Sequence, residues 1–262
     1  MAFEPNWKPE RKPDADCYFL SFPKAGRTWL RALLGKALVD HFRLPPEDLL
    51  ETEKLSAAAG LGVAAFYHDG SAMLDLLPWQ SLVADKSAYR DKRVLLIGRD
   101  ARDTLVSAYF QASRRLQIIR APIRDFVRDD RFGARKMATF YRQWEEARSV
   151  PRAFEFVRYE SMHTDPAGVL RRTLAFLGVS DVTDATLDAA VAFARFDNLR
   201  KVESEGRYAG PILQAGSGAD PESFKVRRGK VGGFRDYLAD EDVAWIDARV
   251  AESRCDFIAP AQ

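Results

Sequence analysis

The chain is short of the residues that build covalent and metal frameworks. Its two cysteines, Cys17 and Cys255, lie far apart in sequence, which excludes a disulfide scaffold and a cysteine-based zinc site. An excess of charge is missing too. Forty basic side chains against 38 acidic ones leave +2, so there is no global basic field of the kind that marks a nucleic-acid binder. Any anion site is therefore local. No stretch approaches the roughly 18 consecutive apolar residues of a membrane span. The charged, Pro-rich start from Met1 to Pro13 lacks the apolar run of a signal peptide. These absences predict a soluble, cytoplasmic protein with no integral membrane segment and no nucleic-acid partner.

What is present is a core. With 262 residues and 47% hydrophobic content, the chain can bury one α/β core, and we read residues 1–262 as a single domain. Cys17 to Phe22 is a short apolar run ended by Pro23, which reads as a buried strand. Trp29, Leu30, Leu33, Leu34, Ala37 and Leu38 follow at helical spacing until Pro45-Pro46. His41 is expected to cap that helix's last carbonyls. Arg93 to Gly98 repeats the pattern of strand, turn and helix, with Asp100 and Asp103 as a capping pair for a helix over 104–115. Met137, Phe140, Tyr141 and Trp144 mark a further helix, Ala153 to Val157 a third strand, and Leu170, Leu174 and Leu177 a helix closed by Gly178. Asp240 to Ala251 reads as a closing helix. Alternating strands and helices predict a parallel, P-loop-like sheet flanked by helices on both faces. Residues 203–230 lack an apolar period, and a loop that long is more often functional than inert.

Ser21-Phe22-Pro23-Lys24-Ala25-Gly26-Arg27-Thr28-Trp29 lies between the first strand and its helix. There the free N–H groups of a first helical turn make an anion site. Gly26 lets backbone approach a ligand, Thr28 offers a hydroxyl, and Lys24 places a cation where a leaving phosphate would gain charge. No Lys-Ser or Lys-Thr follows Gly26, so the magnesium-dependent nucleoside-triphosphate pattern is not met.

This segment resembles the 5′-phosphosulfate loop of sulfotransferases that use 3′-phosphoadenosine 5′-phosphosulfate (PAPS). Lys24, Gly26, Thr28 and Trp29 match the family's Tyr-Pro-Lys-Ser-Gly-Thr-Thr-Trp pattern, whereas Ala25 and Arg27 depart from it. The resemblance implies that Lys24 is catalytic and that residues 24–29 hold the 5′-phosphate end of PAPS. Arg99 and Ser107, again at a strand end and on the helix after it, resemble the pair that grips the 3′-phosphate. Val226-Arg227-Arg228-Gly229-Lys230 is similar to the family's C-terminal Arg-Lys-Gly element, which implies that Arg227, Arg228 and Gly229 close over that phosphate. Gly233-Phe234 stands where the family has Asp-Trp. Tyr159 and Phe196 match rings at the adenine. PAPS is thus the implied co-substrate, without a metal. The family often dimerises, so a homodimer is among the expected assemblies, although the short dimer motif of some members is not evident here.

The family's Lys-Thr-His element, which supplies the base, is absent. His68, at the end of the run Ala64 to Tyr67, is our preferred base, since a neutral imidazole suits proton abstraction. Phe66 then stands where the family has a lysine, and a second cation at the sulfonate is unassigned. Alternatively Lys86-Ser87-Ala88 occupies the place of that element, keeping the lysine and losing the base. His163 is expected to be solvated. Phe66, Tyr67, Met73, Trp79 and Tyr208 are candidates for an apolar acceptor cleft. The acceptor, whether small molecule, lipid or carbohydrate, has no signature. Two other functions stay open at this point: a non-catalytic adenosine bisphosphate binder and a nucleotide-dependent phosphoryl transferase.

Overall fold

Four short strands set the frame, and all run in the same direction. The computed structural model describes residues 10–208, 210, 212–213 and 220–260. In it β1 (Cys17–Ser21), β2 (Ala64–Tyr67), β3 (Arg93–Gly98) and β4 (Ala153–Arg158) form one parallel sheet in the order β2-β1-β3-β4. Phe19 stands opposite Phe66 on one side and Leu95 on the other. The order reverses between β1 and its two neighbours, and such a switch point opens a crevice at the carboxyl ends of the strands.

Side chains alternate across the sheet, so each face feeds its own core. Cys17, Phe19, Leu95 and Ile97 face the helices α1 (Arg27–Phe42), α7 (Pro166–Leu177) and α8 (Asp184–Phe193). Tyr18, Leu20, Val94 and Leu96 face α3 (Ala101–Phe110), α5 (Ala134–Glu146) and α10 (Asp240–Ser253). Shorter helices, α2 (Thr52–Ala58), α4 (Ile123–Phe126) and α6 (Tyr159–Thr164), fill the connections, and α9 (Phe196–Glu205) leads towards the C-terminal loop. Both layers of helix expected from the sequence are therefore present. Met137, Phe140, Tyr141 and Trp144 are all buried on α5, each contributing about 1.5–3 kcal/mol of apolar burial. The Tyr141 hydroxyl donates to the carbonyl of Ile97 at 2.7 Å and accepts the amide of Phe22 at 3.3 Å, which fixes the ends of β1 and β3 to that helix.

Three local expectations change. The helix after β3 begins at Ala101, because Asp100 alone caps it by accepting the amide of Arg102, and its last turn, residues 111–115, widens into a π-helical turn. Asp103 instead accepts the amides of Gly232 and Phe234 at 2.7 and 2.9 Å. His41 does not cap α1. That helix ends on left-handed Arg43, whose amide bonds Val39, while His41 faces Asp181 at 3.3 Å.

Asp69 ties the loop after β2 to the rest of the molecule. Its carboxylate accepts from Lys86 Nζ at 2.8 Å, Tyr89 Oη at 2.6 Å and Trp144 Nε1 at 3.0 Å. Lys86 is buried and also donates to the carbonyl of Val83. Removing the carboxylate strands a buried ammonium, so Asp69→Ala should lower the unfolding free energy by about 3–5 kcal/mol. Urea denaturation followed by tryptophan fluorescence checks this; a loss below about 1 kcal/mol would mean that Lys86 is compensated elsewhere.

Candidate active site

Parallel strands bring four loops to one edge, and each loop carries a residue singled out from the sequence. Lys24 follows β1, His68 follows β2, Arg99 follows β3 and Tyr159 follows β4. Together with residues of α1, α3, α9 and the C-terminal loop they enclose a cavity of about 1040 Å³.

The first loop turns tightly enough to put Lys24 at φ +72° and Gly26 at φ +109°. A Cβ at Gly26 would lie 2.6 Å from Tyr159 Cδ2, so only glycine allows the loop to approach that ring. No side chain among the described residues caps α1. Its opening amides, at Arg27 and Thr28, have no acceptor within the helix and are available to an anion. Lys24 Nζ donates to Gln111 Oε1 at 3.3 Å, and Gln111 opens the π-helical turn after α3.

Arg99 is buried at the end of β3. It donates to the carbonyls of Lys24 at 3.2 Å and Lys230 at 3.4 Å, and its guanidinium lies 4.1 Å above the ring of Tyr159. One arginine thus joins the first loop, the C-terminal loop and the aromatic wall. That wall continues through Trp29, edge-on to Tyr159, and His163, edge-on to both. His163 is exposed as expected, yet it sits at the cavity rim with its ring engaged.

Residues 225–230 become a wall because α9 holds them. Glu203, fully buried, accepts the amides of Lys225 at 2.7 Å and Val226 at 2.9 Å and faces Arg115 at 3.3 Å. Arg200 donates to the carbonyls of Val226 and Arg227 at 2.8 and 3.0 Å. Gly229, at φ +59°, rests on Phe196, where a Cβ would meet the ring at 2.7 Å. Arg227 packs 4.5 Å from the Phe110 ring and donates to Glu222 at 2.8 Å and Tyr237 at 3.0 Å. Arg228 reaches Asp236 at 3.1 Å.

So much enclosed positive charge shifts the titrations. Burial, and then Arg115, Arg99 and Arg227, pull Lys24 down to about 7 against the opposing pull of Glu203. Burial and Lys24 bring Lys225 to about 6. Burial, and then Arg27, hold His68 well below its usual 6.5, so its ring is neutral at physiological pH. His68 Nδ1 lies 2.9 Å from the carbonyl oxygen of Ser21. A carbonyl only accepts, so the proton sits on Nδ1 and Nε2 keeps its lone pair. The backbone amide of His68 donates to Glu10 at 3.0 Å.

The cavity therefore gathers Lys24, Gly26, Arg27, Thr28, Trp29, His68, Arg99, Ser107, Tyr159, Phe196, Arg227, Arg228 and Gly229. Ala25 stays outside its lining: its methyl is buried and its amide bonds back to Phe22 at 3.3 Å. Lys86 is outside too, committed to Asp69, and Asp69 in turn faces away from His68 toward Tyr89 and Trp144. Of the apolar side chains considered for an acceptor cleft, Met73 lines the cavity. Phe66 instead stacks on Phe19, Tyr67 is buried in the core, Trp79 borders a separate small pocket, and Tyr208 packs near Phe193. Sequence reasoning missed Glu10, Arg31, Arg115, Glu203 and Lys225. Arg31 carried a signal, being four residues after Arg27 and so on the same helical face; the others reach the site through tertiary contacts that no spacing encodes.

Known proteins resemble this chain in sequence and in fold. Cytosolic sulfotransferase 13 of Arabidopsis thaliana is 26% identical over 86% of this chain and 72% of its own length. Flavonol 4′-sulfotransferase of Flaveria chlorifolia is 23% identical over 92% of this chain and 79% of its own. Among solved structures, retinol dehydratase in complex with androsterone and the inactive cofactor PAP superposes with a TM-score of 0.65 at 17% identity, covering 94% of this chain and 82% of that one. A mouse sulfotransferase complexed with PAP gives 0.62 at 18% identity over 92% and 85%. These two likenesses establish the fold. The model of the sulfotransferase domain matches residues 14–254, nearly the whole chain, and the protein belongs to that family.

Proposed function

We propose that this sulfotransferase carries a sulfuryl group from PAPS to a hydroxyl or amine of a small-molecule, lipid or carbohydrate acceptor, with Lys24 and His68 as its catalytic residues. One observation carries the donor assignment. Arg27, Arg99 and Arg227 each bury a guanidinium N–H with no partner among the described residues, and all three line the same cavity. A buried cationic donor left unpaired is costly unless a ligand accepts from it. A nucleotide carrying phosphates at two positions supplies such acceptors. Arg99, Ser107, Arg227, Arg228 and Gly229 would hold its 3′-phosphate, residues 24–29 its 5′ end, and Trp29, Tyr159 and Phe196 its base.

PAPS, when bound, supplies a sulfuryl group whose bond to the bridging oxygen breaks, the electron pair staying on the 5′-phosphate as the acceptor's oxygen or nitrogen bonds to sulfur. The chain's own contributions follow from their environments. Lys24 stabilises negative charge at the first loop, and enclosure makes that interaction stronger than it is in water. His68 Nε2 takes the acceptor's proton, with Nδ1 held by Ser21 so that the tautomer is fixed. Ala72, Met73, Leu74 and Leu116 give the cavity an apolar side for the acceptor. Its volume, about 1040 Å³, is at the upper end for a single ligand and suits two bound together.

Calorimetric titration with adenosine 3′,5′-bisphosphate tests the donor site. Binding should depend on the 3′-phosphate, and Arg99→Ala should weaken it by about 3 kcal/mol, roughly a hundredfold. Preference for ATP with magnesium would overturn the reading.

His68→Ala should leave that affinity unchanged and lower turnover by about 10²–10⁴ in a screen of phenols, alcohols and amines. Full turnover in the variant would move the base elsewhere. The pH profile adds a second check. His68 acts when unprotonated and its pKa is well below 6.5, so kcat/KM for PAPS loses activity on the acid side only below that pH. Lys24 acts when protonated, so activity falls as pH rises through about 7.

The same linkage appears in binding. A lysine at about 7 is mostly neutral at pH 8 and regains its proton when an anion arrives. Binding of adenosine 3′,5′-bisphosphate at pH 8 should take up protons, measurable from calorimetry in buffers of different ionisation enthalpy, and Lys24→Met should reduce the uptake.

A further inference from the structure

Phosphate sites at the first loop and at Arg99 do not account for all the positive charge in the cavity. A second group of cations surrounds His68. Arg27 opens α1, Arg31 follows one turn later on the same face, and Lys225 reaches in from the C-terminal loop; all three line the cavity, and all three charges act on His68. Arg27 Nη1 and Arg31 Nε are buried without a hydrogen-bond partner among the described residues. The Arg31 guanidinium lies 4.4 Å from the centre of the Phe66 ring, which supports its apolar side and offers no counter-charge. Burial lowers Arg27 to about 10 and Arg31 to about 9, leaving both charged at neutral pH.

Of the opposing acids, Glu51 and Glu53 act on Arg31 without lining the cavity. Glu10 stands 3.9 Å from Arg27, and burial raises it to about 6. Asp75, also in the lining, accepts the amide of Glu10 at 3.0 Å. Glu203 is committed to the backbone of residues 225 and 226 and to Arg115. His68, being neutral, adds nothing. The region therefore holds two buried guanidinium groups, each with an N–H unpaired among the described residues, beside Lys225, on which Lys24 is the charge that acts most strongly and which takes up its proton fully only when an anion binds.

In-line transfer places the moving group between the leaving oxygen and the proton acceptor, here between Lys24 and His68. We propose that Arg31 and Lys225, with Arg27 beside them, form a sulfonate-binding subsite between those two residues. The inference rests on the PAPS reading of the cavity. It gives the second cation that the motif around Phe66 lacks, drawn from α1 and from the far end of the chain. Glu203, by fixing the amide of Lys225, is then a positioning residue for the transferring group.

The test compares two ligands on the full chain by calorimetry at pH 7. One is adenosine 3′,5′-bisphosphate; the other is the PAPS analogue with methylene in place of the bridging oxygen, which carries the sulfonate and does not turn over. In Arg31→Met and in Lys225→Met the analogue should bind about tenfold or more weaker, while the bisphosphate stays within about threefold of the original protein. Equal losses for both ligands would assign these cations to the nucleotide phosphates, and no loss for either would remove them from the site; each overturns the proposal. Failure of the unaltered protein to bind the bisphosphate at all would overturn the PAPS reading and this subsite with it. Arg31→Met should also melt at a higher temperature without ligand, because a thioether replaces a buried guanidinium whose Nε has no hydrogen-bond partner among the described residues. That rise separates a lost contact from a lost fold.

Discussion

The site depends on the burial of Glu203. A carboxylate taken wholly out of water is tolerated only where donors surround it, and here the donors are two backbone amides of the C-terminal loop and the Arg115 guanidinium. This single group turns a segment without apolar pattern into a fixed wall. It also sets a negative charge among cations that would otherwise repel one another, and it works against their depression of Lys24. Asp103 repeats the device six residues further along the loop, accepting the amides of Gly232 and Phe234 from the start of α3. Two buried carboxylates on two helices therefore close the cavity that the sheet opens.

The sheet's contribution is alignment. Four parallel strands end at one edge, so Lys24, His68, Arg99 and Tyr159 come together although they span most of the chain. Packing then sets their spacing. Gly26 admits the Tyr159 ring, Tyr159 supports the Arg99 guanidinium, and Arg99 ties the carbonyls of Lys24 and Lys230. A shift in any one of these moves the others, which is how a site built on loops gains the rigidity of the elements beneath it.

Much of this was legible from local patterns. Runs such as Arg93 to Gly98 are short and continuous because both faces of a parallel strand are buried, and that leaves a clear mark in sequence. The first loop was legible because its glycine and lysine lie beside a strand end. His68 was harder: the choice between it and Lys86 turned on which side chain faces the cavity, and only the bonds from Lys86 to Asp69 and Val83 decide that. Asp103 looked like a cap, since a carboxylate in a first helical turn usually serves its own helix; a loop 129 residues away uses it instead. Phe66 and Tyr67 were candidates for the cleft, and no local pattern separates cleft from core; the stacking of Phe66 on Phe19 and the place of Tyr67 in the core take both out of it. Residues 214–219, within the long segment after Glu203, lie outside the described residues.

Crowding of cations explains both a cost and a capability. Arg27, Arg31, Arg99 and Arg227 each keep a buried N–H unpaired among the described residues, which lowers stability relative to an apolar filling of the same space. The same arrangement makes the cavity respond to charge. A lysine held near 7 by burial and by neighbouring arginines is only loosely protonated, so its affinity for a proton rises steeply as negative charge grows beside it. An ordinary lysine, already fully protonated, has no such reserve. Interactions that strengthen as charge develops favour the transition state over the ground state. On the proposed assignment of Lys24, the stability given up by enclosing these cations is thus returned where the reaction concentrates its negative charge.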